Sequence, residues 1–338
     1  MTGIATNPGP QKWRSIAAPD AVDPGSRSPV ATLTLNPGVD VSFEVSELLP
    51  GEKVHAHRAR YDPGGNGINV SRALHRLGYA SETCCLVAGE SGQFLRRLMT
   101  EEVESPHFIE VDGETRVNCT VVEPSPWVQY EVSGIGPKVD NDELSAIADL
   151  FLKRADQGIG VLTGSLPPGV PTDFYAGLAD RLRHKEGRAV IDASPELLRA
   201  SLPARPFLIK PNRLELEGLV QRSLPDPPAL IRAGRSLLDG GIECICVSLG
   251  ADGALLLTDG TVYRGTIEPV RVCSTVGAGD SLLAGLVAGL SGGAGPAEAL
   301  RLGLACGTGT SVQPGTQLFD PETLDQYLSM AKVRQYQV

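Results

Sequence analysis

From about residue 140 onward the chain repeats one unit. A short apolar or β-branched run stops at a small or polar residue, and a stretch with helical spacing follows. The runs are GIGVLTG, RAVIDAS, PFLIKPN, CICVSLG and ALLLTDG. Apolar runs without polar alternation suit strands buried on both faces, and strands separated by helices predict βαβ units and a parallel sheet. Four of the runs stop at Thr163-Gly164-Ser165, Asp192-Ala193-Ser194, Lys210-Pro211-Asn212 and Ser248-Leu249-Gly250. In an open α/β sheet, ligands bind beyond the carboxyl ends of the strands. Four separate polar stops therefore predict one site along one sheet edge.

The earlier part of the chain has a different rhythm. Residues 1–29 are rich in Pro, Gly and Ser with isolated hydrophobes, and read as a flexible extension outside the fold. VATLTLNPGVD (30–40) predicts a first strand that breaks at Asn36-Pro37-Gly38. Residues 41–62 and 115–133 then alternate polar and apolar positions around Pro-containing turns. That pattern suits two antiparallel hairpins with one covered face, joined in a small sheet that lies over the site. The expected organisation is one domain over 30–330 with these lid strands, and a C-terminal tail at 331–338. No internal repeat is visible.

Composition excludes several partners. The formal net charge is −10 and no block of Lys or Arg occurs, which argues against nucleic acid or an anionic membrane surface. An anionic substrate would have to be bound by a few placed cations. The seven cysteines are scattered without a C-x-x-C pair, as in a reduced cytoplasmic protein. No apolar run reaches membrane-spanning length, and the first residues lack the apolar core of a signal peptide. The H-x-H at 55–57 could suggest a metal, but it stands among only five histidines and is weak evidence for one.

Three segments carry the chemistry. GGNGINVSRALHRLG (64–78) joins a glycine cluster to a helix with Val70, Ala73, Leu74 and Leu77 on one face. Its glycines admit a ligand close to the backbone, and Asn69 can donate to and accept from hydroxyls. The spacing fails the dinucleotide pattern G-x-G-x-x-G, and no G-x-x-x-x-G-K-[ST] loop occurs anywhere. STVGAGDSLLAGLVAGL (274–290) places Asp280 where a buried helix begins. Asp is a favoured residue at helix starts for capping alone. The backbone N–H groups of Ala278, Gly279 and Asp280 would also form an anion cradle, and a carboxylate there is repelled by the anion unless it takes a proton. LIKPNRLELEGL (208–219) ends a strand with Lys210, Asn212 and Glu215, which suit phosphate, water and a water-mediated Mg²⁺.

These motifs carry a family resemblance. The chain resembles the ribokinase-like phosphofructokinase B family of sugar kinases over nearly everything after residue 30. Both family signatures are present, GGNGIN and TVGAGDS, along with NPGVD, TGSLPPGVP, KPNRLE and VSLGADGALL in the family's order. TRVN and GSLPPG resemble the phosphohexose kinase branch, which holds 1-phosphofructokinase, the minor 6-phosphofructokinase and tagatose-6-phosphate kinase. The resemblance implies a three-layer α/β/α fold with a mostly parallel central sheet and a small β-sheet lid. It implies phosphorylation of a hydroxyl on a phosphohexose, most readily a fructose phosphate, with ATP and Mg²⁺.

Roles follow position by position from that resemblance. Asp280 matches the family's general base, and Gly277, Ala278 and Gly279 its anion hole. Asp40, Gly65 and Asn69 match residues that hold sugar hydroxyls. Lys53 and Arg116 match cations that meet the sugar's phosphate, with Ser165 at the same site. Asn212 and Glu215 match the N-x-x-E motif that organises Mg²⁺ and phosphate. Lys210, Asn212, Ser248, Gly250 and Gly253 match the ATP side. Ser274, Val276, Gln313 and Gly315 resemble a monovalent-cation (K⁺) site of some relatives. A homodimer through the lid is implied as well.

Two positions point in opposite directions within the branch. Many 1-phosphofructokinases and tagatose-6-phosphate kinases carry Lys where this chain has Asn66, whereas Glu131 follows their pattern. A tagatose-6-phosphate kinase or a kinase of a non-phosphorylated sugar is the alternative within the class. A non-catalytic sugar-phosphate-binding regulator would show a damaged base or anion hole, and both are intact in the sequence.

Overall fold

The computed structural model describes residues 28–125 and 127–336, with Trp127 by its backbone alone. The expected extension at 1–29 thus lies almost wholly outside the described residues. Val30–Thr34 (β1), Gly38–Glu44 (β2) and Arg58–Gly64 (β3) precede the helix Asn66–Arg76 (α1). Glu82–Val87 (β4), Gly89–Thr100 (α2) and Ser105–Glu110 (β5) come next, then Arg116–Pro124 (β6) and Trp127–Val132 (β7). The regular alternation follows: Asn141–Arg154 (α3), Ile159–Thr163 (β8), Phe174–His184 (α4), Arg188–Asp192 (β9), Pro195–Ser201 (α5), Leu208–Ile209 (β10), Arg213–Val220 (α6), Pro227–Asp239 (α7) and Cys244–Ser248 (β11). Last come Ala254–Thr258 (β12), Thr261–Thr266 (β13), Ala278–Ser291 (α8), Pro296–Ser311 (α9), Leu324–Met330 (α10) and Lys332–Gln335 (β14).

The large sheet runs β14-β13-β12-β11-β10-β9-β8-β1-β4-β5. From β11 to β5 every neighbouring pair is parallel. The apolar runs of the sequence supply these strands because both faces are covered. On β8, Val161 and Leu162 point to opposite faces, and each is fully buried in a different core cluster. One cluster packs Phe151 of α3 and Leu182 of α4 against the sheet, and the other packs α8 and α9 through Leu283, Leu286 and Leu300. Helices thus lie on both faces, as a three-layer α/β/α arrangement requires.

Two expectations are corrected at the sheet's far edge. ALLLTDG, read among the parallel runs, is β12 and pairs antiparallel with β11. The connection 249–253 is too short for a parallel crossover, which takes about a dozen residues. The segment 331–338, expected as a tail beyond the domain, supplies β14, which covers the open edge of β13. Its composition hides this, because an alternating polar segment with few apolar side chains is placed by backbone pairing with β13, and Ala331, Val333 and Tyr336 add the apolar contacts.

The two alternating segments make the second sheet, ordered β3-β2-β6-β7. Each hairpin is antiparallel, and the two join through a parallel β2–β6 pairing that sets Asp40 opposite Asn118. Val39 and Val41 are buried, while Tyr61, Val117, Tyr130 and Val132 remain exposed apolar side chains. Among the described residues no helix is long and apolar enough to cross a membrane.

Candidate active site

The helix α8 presents Asp280 in its first turn and is buried along almost its whole length. Gly285 explains the close packing: a Cβ there would lie 2.6 Å from Gly303 Cα of α9. The helix is entered through Gly277 in the left-handed region at φ 76°, a conformation open to glycine and costly for other residues. Of the three N–H groups expected to line the cradle, that of Ala278 is turned toward Thr275 O at 3.3 Å. Those of Gly279 and Asp280 sit in the first turn, where an α-helix offers no acceptor of its own.

Asp280 is 5 % exposed and accepts two amide hydrogen bonds, from Asn66 Nδ2 to Oδ1 and from Asn69 Nδ2 to Oδ2, both 2.9 Å. Burial raises its pKa to about 6, with the Asp192 carboxylate adding to the rise, while the two amides and Lys210 work against it. No cation pairs directly with Asp280 among the described residues. It is a carboxylate poised to exchange a proton near neutral pH.

Lys210 follows β10 and is buried, with its Nζ 2.9 Å from Asp192 Oδ2 at the end of β9. Burial opposes its charge, yet Asp192 and Asp280 hold its pKa above the ordinary lysine value. A Cβ on Gly279 would stand 3.5 Å from that Nζ. The ammonium therefore sits at the mouth of α8, beside its positive end, and both favour an anion in the same place.

Asn212 and Glu215 form the capping box of α6. Asn212 Oδ1 accepts from Glu215 N at 2.9 Å, and Glu215 Oε2 accepts from Asn212 N at 2.8 Å. One Glu215 oxygen lies outside this cap. Burial raises the Glu215 pKa, and Asp192 raises it further. Asp192 and Glu215 thus both lie close to Lys210, and two carboxylates of hard oxygen character there fit a Mg²⁺ held through water. A complete protein cage for a metal is absent among the described residues. Ser248 bridges to Asn212, and Gly250 and Gly253, both with positive φ, turn the chain at the end of β11. The expected nucleotide-side residues are therefore neighbours on one edge.

The opposite side of the site comes from the small sheet and the turn into α1. Asp40 on β2 accepts from Asn118 Nδ2 at 2.7 Å, and burial raises its pKa. Gly64 must be glycine because a Cβ there would collide with the Asp40 carboxyl group, and Gly65 adopts φ 123° at the start of α1. Arg116, half-buried at the head of β6, lies near Asp40, and its Nε is buried without a hydrogen-bond partner among the described residues. Ser165 Oγ accepts from Asn36 Nδ2 at 3.0 Å beyond β8. Lys53 stands apart: it occupies the exposed loop 45–57 and makes no ion pair among the described residues. Ser274, Val276, Gln313 and Gly315 lie on two loops tied by the N–H groups of Cys273 and Ser274, which donate to Ser311 O. Ser274 Oγ accepts from Val276 N at 3.2 Å.

Sequence reasoning missed four contributors. Asn66, read only as a missing cation, holds Asp280. Asn118 is two residues past Arg116, so strand alternation could have placed both on one face. Arg72 is three past Asn69 on α1 and touches it (Nη1 to Oδ1, 3.1 Å). Asp192 was seen as a strand stop, and its pairing with Lys210 required the sheet order.

A family model described as pfkB family carbohydrate kinase matches residues 33–323. The 1-phosphofructokinase of Bacillus subtilis is 35 % identical over 302 residues, covering 88 % of this chain and 98 % of the relative. The ATP-dependent 6-phosphofructokinase isozyme 2 of Mycobacterium tuberculosis is 34 % identical over 318 residues, covering 94 % and 93 %. Among solved structures, phosphofructokinase-2 from Escherichia coli in complex with potassium superposes with a TM-score of 0.85 at 30 % identity, covering 89 % of this chain and 98 % of that one.

Proposed function

The chain belongs to the pfkB family of carbohydrate kinases, and we propose that it transfers a phosphoryl group from ATP to a hydroxyl of a phosphohexose, a fructose phosphate in the first instance. The observation that carries this reading is the buried Asp280 carboxylate, held by two amides in the first turn of α8 and close to Lys210.

Each group has a task in that transfer. Asp280 takes the proton of the attacking hydroxyl, and with a pKa of about 6 it is ionised at neutral pH yet basic enough to accept it. The first-turn N–H groups of α8 and the Lys210 ammonium receive the charge that builds on the transferring phosphoryl group. Asp40, Asn69 and the backbone at Gly65 line the side from which the sugar approaches. Arg116, with an unsatisfied guanidinium N–H, offers a donor to the phosphate the sugar already bears, and Ser165 serves the same group. Ser248, Gly250 and Gly253 form the ATP side. Glu215 and Asp192 would hold Mg²⁺ through water, and that ion supplies charge neutralisation to the nucleotide phosphates when bound. The small sheet keeps water from the phosphoryl group.

Three further assignments belong to this reading. The loops at 274–276 and 313–315 form the monovalent-cation site, in keeping with the potassium named for the Escherichia coli structure. The exposed apolar face at Tyr61, Val117, Tyr130 and Val132 is the contact of a homodimer, and Lys53 on its free loop acts in that assembly. The protein works in the cytoplasm, where its seven cysteines stay reduced; the described structure leaves all of them free.

A coupled ADP-release assay with fructose 1-phosphate, fructose 6-phosphate and tagatose 6-phosphate tests the reading. One of the three is expected to give rapid ADP release that depends on the sugar. ADP release no faster with any of them than with ATP alone would overturn the proposed acceptor.

A further inference from the structure

Asn69 stands between two groups with opposite needs. Its Nδ2 donates to Asp280 Oδ2 at 2.9 Å, and its Oδ1 accepts from Arg72 Nη1 at 3.1 Å. A guanidinium has donors only, and an ionised carboxylate has acceptors only. Turning the amide over would set N–H groups against the guanidinium and oxygen against the carboxylate. The amide therefore has one allowed orientation while Arg72 is in place.

Arg72 is itself immobilised. Its side chain is fully buried, with Nε on Glu102 Oε2 at 3.3 Å, Nη1 also near Pro63 O at 3.4 Å, and Nη2 3.9 Å from Asp62 Oδ1. Asp62, on β3, is held in turn by Arg60 from the same strand and by Thr316 Oγ1 at 2.6 Å. Arg76 joins Glu102 at 3.3 Å and donates to Leu318 O and Phe319 O, both at 2.8 Å. A buried charge cluster of this kind adds little or nothing to stability compared with apolar packing. Its positional effect is definite: it joins a strand of the small sheet, α1 and the loop after α9 to one amide beside Asp280.

We infer that Arg72 is a positioning residue for phosphoryl transfer, locking the Asn69 amide with its Nδ2 toward Asp280 and, through Pro63 O and the charge of Asp62, tying that lock to the small sheet. The inference rests on the reading of Asp280 as the general base. The groups facing Asp280 are Asn66 and Asn69 on α1, Asp192 at the end of β9 and Lys210 after β10. Those facing Arg72 are Asp40 on β2, Asp62 with Arg60 on β3, Glu102 after α2 and Arg76 on α1. Loss of Arg72 leaves all the groups around Asp280 in the chain and frees the Asn69 amide to turn, while Asp62 and Glu102 lose a neighbouring cation.

The test is the pH profile of kcat for the full-length protein, its Arg72→Met and Arg72→Lys variants, and Glu102→Gln as a structural control. With Arg72→Met the Asn69 amide loses its fixed orientation and Asp280 loses a donor. The acid limb should then move up by about half a pH unit or more, and the plateau kcat should fall about tenfold. Arg72→Lys keeps a positive charge among Asp62 and Glu102, and it serves if the methionine variant does not fold; its acid limb should move in the same direction. Glu102→Gln removes an anchor of the cluster but not the donor to Asn69, so it should lower the melting temperature and leave the acid limb in place. A wild-type acid limb in every folded Arg72 variant, or an equal shift in Glu102→Gln, overturns the inference. An Asp280→Asn variant that keeps turnover overturns the underlying assignment of the base instead.

Discussion

Replacing Asp280 with Asn should make the protein more stable at neutral pH. The carboxylate's ordinary value is 3.8, and the fold raises it to about 6, chiefly through burial. A raised carboxylate means that the native state binds a proton more tightly than the unfolded chain. Stability from this group is therefore full below about 4, and it is lost as pH rises through about 6. Above that, the distance from 3.8 to about 6 amounts to about 3 kcal/mol against folding. An Asn at 280 removes that cost without opening a cavity. Its oxygen can accept from Asn69 Nδ2, whose orientation Arg72 fixes, and its N–H₂ can donate to Asn66 once that amide turns over. Denaturant unfolding of both proteins from pH 4 to 8 checks this. The Asn variant should be the more stable by about 1–3 kcal/mol at pH 7.5, with the gap closing as pH falls toward 4. A gap that is absent, reversed or independent of pH would refute the account of how Asp280 is held.

Other outcomes follow from the same geometry. Arg116→Ala removes a half-buried cation near Asp40 and should raise the KM for the phosphosugar about tenfold or more, as expected for a lost charged hydrogen bond, with the KM for ATP unchanged; steady-state kinetics in both substrates reads this. Gly277→Ala forces a Cβ onto a residue at φ 76° and to 3.0 Å from Leu318, so thermal unfolding should show a loss of about 1–2 kcal/mol, together with reduced turnover. With Asp280 as the proposed base, kcat of the wild-type enzyme should rise with pH through about 6 and then level off.

Much of this site was legible before the fold was known, and the reasons are local. Apolar runs ending in polar residues mark strand ends, and the sheet does gather Asp192, Lys210, Asn212 and Ser248 on one edge. Glycine followed by Asp280 and an apolar stretch marks a buried helix start, which is what α8 is. Other features depend on contacts that no spacing encodes. Asn66 and Asp280 are 214 residues apart, and only the packing of α1 against α8 brings their side chains together. The same holds for Asp62 and Thr316, separated by 254 residues. The direction of β12 and the edge strand β14 escaped because backbone pairing, rather than a hydrophobic pattern, places them. Asn212 and Glu215 show a further limit: their spacing suits a capping box and a metal-organising motif alike, and the structure displays the first while leaving a carboxylate oxygen for the second.

Phosphoryl transfer by Asp280→Asn is the direct test of the central claim. Binding of ATP and of the preferred phosphosugar should persist in that variant, since the cradle, Lys210 and Arg116 are untouched. ADP release with both substrates present should fall by about three orders of magnitude, within the range that a positioned base contributes. Turnover within a few-fold of wild type would contradict the assignment and require another group to take the proton.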